Sequence, residues 1–133
     1  MPRYPNGRWP GEALGVIPGG TAVGGDARIA LSLLPSVVAL QTACYAQTGR
    51  RLQPTSRHDG FRPIEVSEDI YFKRYVPYNT GTGDARKYQG VMRWRLPGTA
   101  SAAIPGTSNH GNAQAIDWAA VTVPYNDDGD TLW

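Results

Sequence analysis

Apolar positions recur at helical spacing in two parts of the chain and alternate in two others. Leu33, Val37, Leu40 and Cys44 fall on one helical face, with Leu34, Val38 and Tyr45 beside them. This predicts a helix over 26–48, which Gly49 would cap. Pro35 either kinks that helix or stands at its first position, with the helix starting near Leu34. Pro63 opens a second helix running to about Tyr75, with Glu65, Glu68 and Asp69 near its start and Ile64, Tyr71, Phe72 and Tyr75 toward the core. "GVMRWRL" alternates as a strand, and "AQAIDWAAVTV" is the best strand of the chain, expected at the centre of a sheet over 113–121. Residues 50–55 suit only a short edge strand, because Pro54 excludes a central one. Residues 1–25 read as an irregular arm whose middle is packed down by Arg8, Trp9 and Leu14, and Trp9 with the Leu14–Ile17 run argues against a flexible tail. Residues 56–62, 76–89 and 97–106 read as loops, and a polar end follows Pro124. The pattern predicts one α+β domain, with helices near 28–48 and 63–76 packed on a small, mostly antiparallel sheet.

Composition narrows the class. The 133 residues suffice for one core, and 16 glycines and 11 prolines make the chain loop-rich. A hydrophobic share of 41% with 18% charged residues is globular rather than disordered. A net charge of +2 forms no basic stripe, which argues against nucleic acid and leaves at most a mild attraction to an anionic surface such as a bacterial cell wall. The one cysteine, Cys44, makes no internal disulfide and is expected to pack as a small hydrophobe. The start, "MPRYPNGRWPGE", has no apolar core of a signal peptide, and no run approaches the ~20 apolar residues of a membrane span.

Chemistry concentrates in "GTSNHGNAQAIDW", residues 106–118. His110 sits in a turn-forming run, and Asp117 follows inside an apolar one. On a continuous helix their Cα atoms would be ~10 Å apart. On a continuous strand they would be ~23 Å apart and on opposite faces. Sharing one ion therefore requires the chain to fold back, and Gly111 and Asn112 both tolerate positive φ. On the strand that follows, Asp117 is flanked on its own face by Ala113, Ala115 and Ala119, which leaves room for a hydrated cation. The competing reading is a carboxylate satisfied by backbone hydrogen bonds beside an ordinary loop histidine. Spacing alone leaves both open.

Ser108-x-His110 followed by Ala115-x-Asp117 resembles the S-x-H-x-x-G-x-A-x-D motif of the zinc D-Ala-D-Ala carboxypeptidase and L-alanyl-D-glutamate endopeptidase family. The flanking "PGTSNHG" is similar to its bacteriophage endolysin branch. "HDGFRP" resembles the family's D-G/A-Y/F-R-S/P segment, which precedes a helix, and the order of segments is similar along nearly the whole chain. The resemblance implies a Hedgehog/DD-peptidase-like α+β fold and Zn²⁺ held by His110 and Asp117. It implies that Ser108 and Ala115 support these ligands and that Arg62 stabilises the charge developing on the substrate carbonyl. The implied substrate is the stem peptide of bacterial peptidoglycan, met by a protein made in the host cytoplasm and acting at the cell wall.

The chain departs from the family at Ala113, where the motif has glycine. It also lacks the family's later His, a third zinc ligand, and the upstream Glu that acts as general base; Trp133 lies sixteen residues past Asp117. Its other histidine, His58, reads as a surface loop residue. Asp127, Asp128 and Asp130 read as a solvated acidic loop whose spacing does not match a calcium loop. With two protein ligands, zinc is expected to bind weakly and turnover to be poor. The expectation is a cell-wall peptidase whose site is completed by a C-terminal extension or a second chain. The alternative is a catalytically inactive cell-wall-binding or virion relative of the same fold.

Overall fold

The computed structural model describes residues 3–119. It shows an α+β architecture. A two-stranded antiparallel sheet pairs β1 (Leu14–Val16) with β2 (Arg28–Ala30), and helix α1 (Leu34–Thr48) follows. Helix α2 (Ile64–Arg74) then leads into a three-stranded antiparallel sheet of β3 (Tyr75–Val76), β4 (Ala85–Tyr88) and β5 (Val91–Arg95), with β5 in the middle. No helix among the described residues is long and apolar enough to cross a membrane.

The first helix is shorter than its apolar pattern suggests. Pro35 lies in its first turn, so the helix starts at Leu34. Upstream, residues 28–30 pair with β1 and Leu31–Leu33 form a 3₁₀ turn. The cause is the missing proline N–H and the clash of its ring with the preceding turn. Gly49 closes α1 at φ 71°, donating its N–H to Tyr45 O. Leu33, Leu34 and Val37 pack on the buried cluster of Ile17, Ala27 and Ile29, together with Ile116 and Trp118. The rest of the expected apolar face is less covered: Leu40 and Tyr45 are exposed and Cys44 is half-buried.

Helix α2 ends two residues before the expected limit, because Tyr75 and Val76 join β3 and pair with Arg95 and Trp94. Ile64, Tyr71 and Tyr75 are buried as expected. Phe72 is not; it lies on the surface, with the Arg93 guanidinium 4.7 Å over its ring. Residues 85–88, read as loop, form β4. The hairpin to β5 turns on Gln89 and Gly90, both at positive φ (51° and 79°), as a tight turn between right-twisted strands requires.

The largest departure is the segment read as the central strand. Its residues 120 and 121 lie outside the described residues, as do Asp127, Asp128 and Asp130. Residues 110–113 form a turn, and 114–117 continue without regular structure to a single bridge between Trp118 and Pro54. The segment does lie antiparallel to 53–59: Ala119 donates to Gln53 O, Thr55 to Asp117 O, and Asp117 to Asp59 O. It does not extend into a ladder because residues 56–60 turn away from the register; Pro54 itself sits between two bonds that are made, Ala119 to Gln53 and Thr55 to Asp117. The edge strand expected at 50–55 shrinks to the same bridge.

The N-terminal arm is irregular at its start, as expected, but it also holds other parts of the chain. Gly7 donates to Gly111 O and accepts from Ile64 N, and Asn6 Nδ2 donates to Ser108 O at 2.7 Å. One short stretch thus ties the start of α2 to the loop that carries His110.

Candidate functional site

The loop 105–117 is shaped by its own polar groups. Ser108 Oγ accepts the Gly111 N–H at 3.2 Å, and His110 O accepts the N–H groups of both Ala113 and Arg62. Ala113 closes the turn at φ 55° and is fully buried against Ala30 and Phe61. A Cβ residue in this left-handed region is strained. The position is the one at which the peptidase motif carries glycine.

This turn folds the chain back as the spacing argument required, but the left-handed residue is Ala113 rather than Gly111 or Asn112. His110 Nε2 lies 3.3 Å from Asp117 Oδ2. The other ring nitrogen, Nδ1, lies 2.9 Å from Gly60 O. A carbonyl oxygen only accepts, so Nδ1 carries the proton. In neutral His110, Nε2 then presents a lone pair to a carboxylate that also only accepts. Two acceptors at that separation need a positive charge between or on them, either a proton on Nε2 or a bound cation.

The distance suits a cation. Two donor atoms about 2.0–2.1 Å from one tetrahedral zinc are about 3.3 Å apart. The Gly60 carbonyl supplies the outer contact that fixes a ligating imidazole. The imidazole is mostly covered, whereas the Asp117 side chain is 59% exposed. The carboxylate is therefore not buried among alanines, as a regular strand would have placed it. Ala115 is half-buried beside the site and makes no hydrogen bond with the described residues.

Arg62 lies in the same cleft, a depression of about 390 Å³ that also includes Ser108, His110 and Asp117. Its guanidinium is 3.5 Å from Asp59 and donates through Nε to His58 O at 3.2 Å. Asp59 is in turn held by Ser56 Oγ at 2.7 Å. Four of the five residues singled out in sequence (Ser108, His110, Asp117 and Arg62, but not Ala115) are thus brought together in the cleft by two loops, 56–62 and 106–117.

His58 faces elsewhere. It lines a separate cavity with Trp9, Arg28, Arg57 and Phe61. Burial lowers its pKa below the usual imidazole value, and the Arg57 and Arg62 charges add to this. Among the described residues, no third His, Cys, Asp or Glu joins His110 and Asp117 in a metal-binding group. Sequence reasoning missed Arg74, Ser67 and the 101–104 segment, which form the remainder of the cleft. No motif marks them. The only signal was the spacing of Ser67, Ile70 and Arg74, which places them on one face of α2.

Comparison with known proteins yields no counterpart: no family model, no curated protein and no solved structure matches this chain.

Proposed function

We propose that the cleft is the zinc site of a peptidase acting on the stem peptide of bacterial peptidoglycan, in the manner of bacteriophage lysins. The observation that carries the reading is the 3.3 Å separation of His110 Nε2 and Asp117 Oδ2, with Nδ1 already committed to Gly60 O. The left-handed Ala113 at the motif's glycine position and Arg62 in the same cleft support it.

His110 and Asp117 would hold the metal, which when bound polarises a scissile carbonyl and acidifies water. Arg62 offsets negative charge gathering on the substrate carbonyl oxygen. Asp59 and the His58 carbonyl keep its guanidinium oriented, so little motion is needed as that charge forms. The Gly60 carbonyl holds the imidazole in the tautomer that leaves Nε2 free. The reading also requires a third ligand and a general-base carboxylate, which it assigns to a further segment or a second chain.

A second reading is favoured by the donor count of the described residues: a non-catalytic cell-wall-binding protein using the same cleft. Two measurements separate them. Cobalt titration should give visible absorption bands that vanish in Asp117→Ala, which reports the site without reference to activity. Purified peptidoglycan should release few new amino groups with residues 1–133 and zinc, and many once a segment carrying His and Glu is supplied. Absence of cobalt bands in the unsubstituted protein removes the metal reading. Bands without cleavage under any supplementation leave the binding protein.

A further inference from the structure

The cleft extends well past the His110–Asp117 pair. Ser67, Ile70 and Arg74 line it along one face of α2, and residues 101–104 form the opposite wall. Along the helix axis Arg74 lies about 10 Å beyond Ser67. Its Nη1 donates to Ser101 O at 3.3 Å, and no acidic side chain among the described residues pairs with it. Arg62, in the same cleft, already has Asp59. Arg74 is therefore a cation of the cleft without an acidic partner among the described residues.

The wall facing α2 has a second property. Ala102 is fully used: its N–H meets Tyr75 Oη and its carbonyl accepts from Arg86. The next residues are not. Ala103 N–H and C=O and the Ile104 N–H make no hydrogen bond with described residues. Irregular backbone that leaves such groups unpaired along a cleft offers them to another chain, as a sheet edge does.

We infer that the cleft binds an extended, carboxylate-bearing peptide, its main chain along Ala103–Ile104 and its carboxylate on Arg74. A planar guanidinium with free N–H groups is matched to a carboxylate rather than to a neutral amide. The carboxylate can be a chain terminus or an acidic side chain, and both present the same two oxygens. This inference rests on the peptidase reading only for which end of the peptide meets the metal ligands.

The test is calorimetry in chelator, so that metal plays no part. Three probes are compared: N-acetyl-tetraalanine as the free acid, the same peptide as its C-terminal amide, and N-acetyl-Ala-Ala-Ala-Glu amide. The acid, the glutamyl amide or both should bind about tenfold more tightly than the neutral amide, as a charge-assisted contact in a half-open cleft allows. Which of the two does so identifies the source of the carboxylate. Arg74→Gln should abolish the preference while changing neutral-amide affinity less than twofold. Asp117→Ala should leave the preference intact, so loss of the zinc reading does not remove this one. Equal binding of all three probes, no binding of any, or a preference that survives in Arg74→Gln overturns the inference. So does a loss in Arg74→Gln that weakens the neutral amide as much as the acid, because Arg74 would then act only by holding Ser101.

Discussion

Asp84 and Asp117 each face a cationic or cation-ready neighbour, yet they are opposites. Asp84 Oδ2 accepts from Tyr75 Oη at 2.8 Å and Arg95 Nε at 3.1 Å, and Oδ1 accepts from Arg86 Nε at 3.0 Å. Arg86 and Arg95 then reach on to Ala102 O and Thr99 O, tying the 96–102 loop to the three-stranded sheet. Among the described residues the Asp117 carboxylate has one side-chain partner, the Nε2 of His110, and is more than half exposed. A saturated carboxylate holds structure; one with spare lone pairs beside an imidazole is free to take a ligand. The contrast separates a carboxylate that holds the loop beside the cleft from one within the cleft that is left open to a ligand.

The sharpest way to break the contrast is Asp117→Ala. If Asp117 is a ligand, zinc or cobalt affinity falls at least ~100-fold, since even outer contacts of a metal site are worth ~10–100-fold. The thermal midpoint should hardly change, because no hydrogen bond among the described residues uses the Asp117 carboxylate. Isothermal titration with cobalt and a thermal melt on the same sample check both halves. A large fall in melting temperature with unchanged cobalt binding would make Asp117 the structural residue.

Next in size is the turn that presents Asp117. Ala113→Val places a β-branched residue at φ 55° in a fully buried position. Strain and overpacking together should cost about 2–3 kcal/mol in urea unfolding. Ala113→Gly should stay within about 1 kcal/mol of the unsubstituted protein. Relief of left-handed strain, about 1–2 kcal/mol, is offset by the lost methyl contact and the freer unfolded chain. A Val substitution without effect would mean that the turn is not fixed as described.

What the sequence made legible follows from the same distinction between local and long-range causes. Gly49 and Pro63 act through their own backbone geometry, so the limits they impose on the helices could be read directly; Pro35 left a kink and a start near Leu34 both open, and the expected span began too early. That the chain folds back between His110 and Asp117 was legible because no regular element brings residues seven apart to one ion; where it does so was not, since the left-handed residue is Ala113 and not Gly111 or Asn112. The strand at 113–121 was misread because its alternation is real but its partner is unsuitable: the 56–60 turn that ends the pairing lies elsewhere in the chain. Strand β4 was missed because "ARKYQG" lacks an apolar face, and the Gln-Gly turn is a weaker signal than Asn-Gly. Arg74 and the 101–104 wall carry no motif at all; they become neighbours only when α2 and the β5–loop unit pack together.

Asp84→Asn tests the structural half. It keeps the shape and removes the charge shared with Arg86 and Arg95, so stability should fall by about 1–2 kcal/mol with metal affinity unchanged. The pH dependence follows. The Tyr75 hydroxyl first, and the two arginines after it, hold the Asp84 carboxyl below its ordinary value of 3.8. The folded carboxyl therefore binds its proton less readily than the unfolded one. Its stabilisation is complete above that ordinary value and is lost as pH falls through the lower folded one. Urea midpoints from pH 6 down to pH 3 should decline less steeply in Asp84→Asn. An identical decline would assign the acid limb to other carboxylates.

The smallest expected effect is that of His58→Ala, and its smallness is informative. His58 is the only histidine besides His110, so it is the natural rival for a third ligand. Its side chain lines the neighbouring cavity with Trp9, Arg28 and Arg57, whereas its backbone carbonyl is what reaches Arg62. Substitution with alanine keeps that carbonyl, so cobalt affinity should stay within about twofold, well short of the loss expected for a ligand. One trace should remain in the pH profile. Burial, helped by Arg57 and Arg62, lowers the imidazole pKa from 6.5, so the unfolded chain takes up a proton before the folded one does. Stability from this source is complete above 6.5 and is lost as pH falls through the folded value; removing His58 should flatten that shallow slope. If His58→Ala instead abolished the cobalt spectrum, the 56–62 loop would have to turn its histidine into the cleft on metal binding. The division between the structural and the chemical aspartate would then extend to a loop that rearranges around the ion.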